Sequence, residues 1–443
     1  MTFLRLAVLA GWFALQLAVV APRLGPGPRT ASHPALSSSE PAPAPPQQAY
    51  SLPPDKLAKA IALGRIRHIL SFAGSLWGLA VLGLLLATHT VARLDACAQR
   101  VARQRWLQGL LFFAALLVLL TLADLPLDWY GHRISLSYGI SVQSWSSWLT
   151  DLAKVIAFTV LIGAPVLLLF NWIVRRWPRR YWLAAWIAAL PLMVLGTFVL
   201  PLLEPVFNKF EPLAKTNPAL VAQLEKVVTR TGANIPPQRF FLMKASEKTN
   251  GLNAYVSGIG STKRIVVWDT TAGRIPDDEV LFIFGHESGH YVLNHIPKGL
   301  ACSAVGLFFV FWACAGLAGW LADRFSARWG IETLASRAGF VVLIFIVSAA
   351  GFVLQPVDHA FSRHFEHQAD VYGQEAIHGI VADPRRTAVS AFNALGEAWL
   401  EEPDPNPFIE FWSYSHPSIQ RRASFALHYD PWANGGRGEF FEK

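Results

Sequence analysis

Within this chain, the run His286-Glu287-Ser288-Gly289-His290 combines residue types and spacing that can do chemistry: two histidines four apart, with a glutamate directly after the first. On an α-helix, residues i and i+4 lie one above the other on the same face. Both imidazoles can therefore reach one metal ion while Glu287 sits beside the remaining coordination positions. This is the HExxH pattern of zinc peptidases, in which one Zn²⁺ per chain acidifies a water molecule. Glu287 would take that water's proton and later return it to the leaving amine. A catalytic zinc takes three protein ligands, so the pattern requires a third from elsewhere in the chain.

Two positions offer themselves. His295 follows closely, but the extended HExxHxxGxxH pattern would put glycine and histidine where this chain has Leu293 and Ile296. At about 100° per residue, His295 would also fall about 140° around a continuous helix from His290 and face away from the pair, so it reads as a polar residue or one that supports the ligands from behind, and not as a ligand. The other candidate is Glu366, in Ser362-Arg363-His364-Phe365-Glu366-His367-Gln368-Ala369-Asp370. Asp370, at i+4 on the same helix face, could accept the spare N–H of a bound imidazole and hold its tautomer. Spacing alone does not separate this arrangement from a solvated, charged helix.

HExxH followed by ExxAD, with two apolar stretches between them, resembles the type I CAAX prenyl protease family and its shorter relative HtpX. The resemblance extends to Asn253-Ala254-Tyr255-Val256-Ser257-Gly258 with Lys263 to Thr270, similar to the family's substrate-side hairpin. His416-Pro417-Ser418-Ile419 followed by Arg421 is similar to its C-terminal His-Pro element, with Ser418 where the family often has a second proline. Pro205 to Phe210 and Leu125-Pro126 match its helix-end signatures, and the long membrane part favours the CAAX-type branch. The resemblance implies that Glu366 completes a ligand set with His286 and His290. It further implies His416 as a donor to the developing oxyanion, with Arg421 as a second candidate. The strand carrying Asn253, Ala254 and Tyr255 would pair with an extended substrate, although Ala254 and Val256 could equally serve core packing.

The elements that must position these groups are membrane helices. Hydrophobic residues make up 53% and charged residues 15% of the chain, against about 25% charged in an average soluble domain. Apolar stretches long enough for a hydrocarbon core of about 30 Å run over 69–88, 106–123, 155–174, 181–203, 299–322 and 338–354, the fourth containing Pro191. A further stretch, 6–21, reads as a retained span or a signal segment, with Pro22 arguing against cleavage. The fold expected is mostly α: a multi-pass bundle of about seven transmembrane helices with a small α/β, gluzincin-like zinc-metalloprotease unit.

The divisions are 1–21, a Pro-rich linker over 22–54, membrane helices over 55–203, an α/β part over 204–298, two helices over 299–356, and a helical part over 357–443. Within the α/β part, a helix is expected near Pro218 to Thr231, with strands near Arg239 to Leu242, Leu252 to Val256 and Arg264 to Trp268.

The net charge of +8 comes largely from arginines at span ends, with no aromatic-interleaved basic face, so lipid headgroups are the expected partner and nucleic acid is not. Tryptophans near span ends suit interfacial anchoring. Three cysteines at these spacings make neither a disulfide framework nor a zinc ribbon. Composition fits a bacterial inner membrane. The basic loops, taken as cytoplasmic, would put 204–298 and the C-terminus outside, whereas the eukaryotic family members present this region to the cytosol.

The function expected is a zinc-dependent membrane endopeptidase acting on membrane-associated peptides or proteins. The alternative is a quality-control protease of HtpX type, and a non-enzymatic membrane protein is the remoter reading. A site-2-type protease would carry an aspartate ligand in a later span, in an LDG-like setting that this chain lacks.

Overall fold

The computed structural model describes residues 48–258, 260–331, 333–433 and 435–441. The stretch 6–21 and most of the Pro-rich linker lie outside the described residues. Six described helices are long and apolar enough to span a membrane: α1 (Pro54–Ala87), α3 (Arg105–Ser137), α4 (Trp145–Arg176), α5 (Tyr181–Phe207), α8 (His295–Trp329) and α9 (Arg337–Ala376). They correspond one to one with the six internal apolar stretches. Pro191, Pro201 and Pro205 lie inside α5 without ending it. α2 (Thr90–Val101) is a shorter helix between α1 and α3.

α9 is longer than its apolar stretch predicts. Its 40 residues, at 1.5 Å each, reach about 60 Å, twice the hydrocarbon thickness. The division drawn at 356 therefore falls inside one unbroken helix that crosses the bundle and continues past it. Glu366 and Asp370 sit on that continuation.

The polar unit is built from α6 (Pro218–Thr231), α7 (Asp277–Val292), α10 (Pro384–Trp399), α11 (Pro407–Ser413) and α12 (Ile419–His428) around a four-stranded sheet. The strands are β1 (Phe210–Pro212), β2 (Phe240–Met243), β3 (Ala254–Ser257) and β4 (Arg264–Trp268), in the order β1-β2-β4-β3. β2 and β4 run parallel, while β1 pairs antiparallel with β2 and β3 with β4, Tyr255 facing Val266. β1 has only three residues and was not expected from the sequence, being too short to show a period. One core joins Phe240, Val267, Val280, Phe284, Tyr372 and Phe392, so residues on both sides of the α8–α9 pair share it.

The bundle has two chemically different ends. At one, the polar unit packs on the helix termini: Lys248 pairs with Asp151 of α4, Arg264 pairs with Glu204 of α5 at 2.7 Å, and Arg67 of α1 donates to Trp399 O at 2.9 Å. At the other, Asn171 of α4 donates to Ser336 O at 3.1 Å, and a buried Arg337–Asp95 pair ties the start of α9 to α2.

Candidate active site

α7 opens with Asp277, Asp278 and Glu279, where carboxylates complement the helix N-terminus, and carries His286 and His290 one turn apart near its other end. It crosses α9 where both helices are thin. A Cβ on Gly373 would lie 2.8 Å from the His286 backbone nitrogen, and one on Gly285 would lie 3.0 Å from Gly373 O. Glycine at both positions lets the backbones touch, and that contact brings Glu366 to the histidine pair.

Donor atoms of three residues converge as a result. His286 Nε2 lies 3.2 Å from His290 Nε2 and 3.3 Å from Glu366 Oε2, and His290 Nε2 lies 3.5 Å from Glu366 Oε1. Ligands at about 2.0–2.2 Å from a tetrahedral zinc are separated by about 3.3–3.6 Å, which is close to each of these pairwise distances. Glu366 Oε2 is buried and accepts no hydrogen bond among the described residues, which leaves it available to a cation. This donor set fits a divalent metal ion.

The far nitrogens of both imidazoles are also held. Asp370 Oδ1 lies 2.9 Å from His286 Nδ1, and Arg422 grips the same carboxylate with two bonds, of 2.9 and 2.6 Å. His290 Nδ1 lies 3.1 Å from His295 Nδ1, whose Nε2 is 3.1 Å from Gln368 Oε1. An amide oxygen only accepts, so His295 donates from Nε2, accepts at Nδ1 and holds His290 with its proton on Nδ1. Both chains of bonds therefore leave Nε2 of His286 and His290 free to face the centre.

His295 thus supports His290 from behind, one of the two places expected for it, although the helical angle had turned it away from the pair. Helix α7 ends at Val292, Asn294 adopts φ 57°, and α8 restarts at His295, so the assumption of a continuous helix does not hold. Gln368 was not singled out from the sequence, and its place inside ExxAD was the available signal. Gln368→Leu is expected to weaken metal affinity by about 10- to 100-fold, because His290 loses the relay that fixes its tautomer. Competition with a chelator of known affinity checks this, and an unchanged affinity would show the relay to be idle.

The arginine expectation is corrected. Arg421 is exposed and pairs with Glu410 at 3.3 Å, away from the centre. Its neighbour Arg422 is turned inward, since successive helical residues diverge by about 100°. His416 does approach: its Nε2 is 3.2 Å from Glu366 Oε1, its Nδ1 is 2.9 Å from Ser415 Oγ, and the side chain is half exposed.

Glu287 lies beside the cluster. Burial pushes its carboxyl up to about 7, against the lowering pull of His286 and of a backbone hydrogen bond from Val256. That bond places β3 next to the site. Trp268 N donates to Asn253 O at 3.1 Å, so alternation along the strand turns the backbones of Asn253 and Tyr255 towards β4. The backbone groups of Ala254 and Val256 then face the open edge, while their side chains are in the core. The Tyr255 hydroxyl donates to Glu204 at 2.8 Å, anchoring the strand to α5.

Comparison with known proteins gives a consistent set of likenesses. A family model described as peptidase family M48 matches residues 214–430. Another, described as CAAX prenyl protease N-terminal, five membrane helices, matches residues 35–209. An uncharacterised metalloprotease of Bacillus subtilis (strain 168), YhfN, is 34% identical over 376 residues, covering 84% of this chain and 86% of the relative. CAAX prenyl protease 1 of Saccharomyces cerevisiae is 26% identical over 338 residues, 73% of this chain and 72% of the relative. The crystal structure of S. mikatae Ste24p shares the fold, with a TM-score of 0.72 over 85% of this chain and 89% of that one at 24% identity.

Proposed function

Because the chain belongs to peptidase family M48, joined to the membrane domain of the CAAX prenyl proteases, it is an integral multi-pass membrane metalloendopeptidase, and we propose that it hydrolyses membrane-associated polypeptides with one Zn²⁺ held by His286, His290 and Glu366. The family implies a metal ion and peptide or protein substrates. The Bacillus relative is consistent with a bacterial inner membrane. The observation that carries the zinc assignment is the convergence of two imidazole Nε2 atoms 3.2 Å apart on one buried carboxylate, whose two oxygens lie 3.3 Å from His286 and 3.5 Å from His290.

When bound, zinc supplies Lewis acidity and acidifies water near neutral pH. Glu287, outside the ligand set, accepts the proton of the attacking water and returns it to the departing amine. His416, with Nε2 turned towards Glu366, donates to the carbonyl oxygen as it gains negative charge. The open edge of β3 at Ala254 and Val256 receives the substrate as an added strand, which sets the scissile bond beside Glu287. Asp370 and Arg422 act one step back, by orienting His286.

The purified protein tests this with three substrates: a prenylated CAAX peptide, the same peptide without the lipid, and an unfolded membrane protein. Cleavage that stops with a chelator and returns with zinc supports the reading. Preference for the first substrate makes the enzyme CAAX-protease-like, and preference for the third makes it a quality-control protease. Failure to cleave any of them with zinc restored would overturn the proposal.

A further inference from the structure

The end of the bundle opposite the protease unit is strongly and asymmetrically basic. Three connections meet there, over 88–105, 175–180 and 323–337, and together they hold eleven arginines against three acidic residues. One of the acids, Asp95, is already spent inside the bundle on Arg337. Arg93, Arg100, Arg103 and Arg105 are exposed, as are Arg324, Arg328 and all four arginines of the 175–180 loop. α2 lies in this collar as an amphipathic helix, burying Val91, Asp95 and Ala98 while Arg93 and Arg100 stay outside. Trp106, Trp172 and Trp177, all exposed, ring the same end, as aromatic side chains do at the boundary between hydrocarbon and headgroups.

At the protease end, the one short connection, residues 138–144, contains no charged residue. The polar start of α1 brings Lys56, Lys59, Arg65 and Arg67 to that end, with Lys56 paired to Glu397 and Arg67 to Glu401, and the segments over 204–298 and 357–443 are long, which lets them cross a membrane largely regardless of their charge.

We infer that the basic end rests on the anionic phospholipid headgroups of the cytoplasmic leaflet, so that the zinc-peptidase unit stands on the exoplasmic side of the membrane. Lysine and arginine in short connections are retained on the cytoplasmic side, and arginines near that surface are further held by anionic lipid. All three short basic connections, with eleven arginines, lie at one end of the folded molecule and the uncharged one at the other, against four basic residues at the start of α1, so the balance of charge selects a single orientation. The catalytic centre then meets exoplasmic polypeptides. This identification of the substrates rests on the metalloprotease reading, whereas the orientation itself does not.

Native and introduced cysteines test the orientation by labelling with a membrane-impermeant maleimide in a bacterial host. In a protein with Cys302 and Cys314 replaced by alanine, the exposed Cys97 reports the basic end. Adding Cys97→Ser and Lys226→Cys moves the single thiol to an exposed position of α6 in the protease unit. The expected result is labelling of the α6 thiol in intact cells and of Cys97 only after lysis. The reverse pattern, or equal labelling of both before lysis, overturns the inference. Because a cysteine variant may lose its fold, a reporter enzyme active only outside the cytoplasm is also fused to the C-terminus of the otherwise unaltered chain, and an inactive fusion at normal protein levels overturns the inference equally. Neither readout depends on proteolysis, so a failed orientation and a failed enzymatic reading are told apart.

Discussion

Glu287→Gln lowers peptide hydrolysis by about 10²- to 10⁴-fold, the share that a positioned proton-transfer group contributes, while the protein keeps its metal. The amide matches the carboxylate in size but cannot accept the proton, and His286, His290 and Glu366 are untouched. Metal content and turnover measured on the same preparation separate the two effects. Wild-type turnover in this variant would remove Glu287 from the mechanism.

The same residue sets a pH dependence. Burial raises its carboxyl to about 7, and a bound divalent ion lowers that value by favouring the ionised form. The base works only when deprotonated. Hydrolysis therefore falls as pH drops through the carboxyl's pKa, with an acid limb at or below about 7. The pH profile of kcat/KM for the zinc-loaded enzyme checks this, and an acid limb that Glu287→Gln leaves in place, or activity that rises as pH falls below about 7, would contradict it.

Glu366→Ala removes activity by a different route, through loss of the metal. A hydrogen-bond partner behind a ligand is worth about 10- to 100-fold in metal affinity, and removal of a ligand itself should exceed that. The variant also leaves two imidazole nitrogens 3.2 Å apart with no carboxylate opposite them. Bound zinc after dialysis, beside residual activity in excess zinc, distinguishes a ligand from a merely nearby acid. Full metal content would show that His416 or another group completes the site.

Much of the site was legible because its information is local. HExxH needs only the helical period to place two imidazoles on one face, and α7 delivers them. Helix α6 at Pro218–Thr231 and strand β4 at Arg264–Trp268 fall where hydrophobic patterning put them, since each is a continuous periodic run. The six membrane helices were equally legible, because a long apolar run has few alternatives where every backbone polar group must be satisfied internally.

What was not legible depended on contacts far apart in the chain or on one irregular residue. His295 was turned away from His290 on paper because a helix was assumed to continue, and the left-handed Asn294 swings it back. Arg421 and Arg422 are adjacent and chemically identical. Only the packing of α12 against α9 decides that Arg422 meets Asp370 while Arg421 meets Glu410.

Likewise, the Asn253 to Ser257 segment could be read as a strand near the substrate, but the edge it exposes follows from its pairing with β4. By itself, then, the sequence determined the reaction class, the placing of the histidine pair on one helix face and the membrane setting, all of which follow from residue chemistry repeated at a fixed local period. Tertiary structure alone decided how Glu366 reaches that pair, through the contact of Gly285 with Gly373, and that Arg422 in place of Arg421 backs it. Convergence of distant residues depends on how helices cross, which no local period encodes.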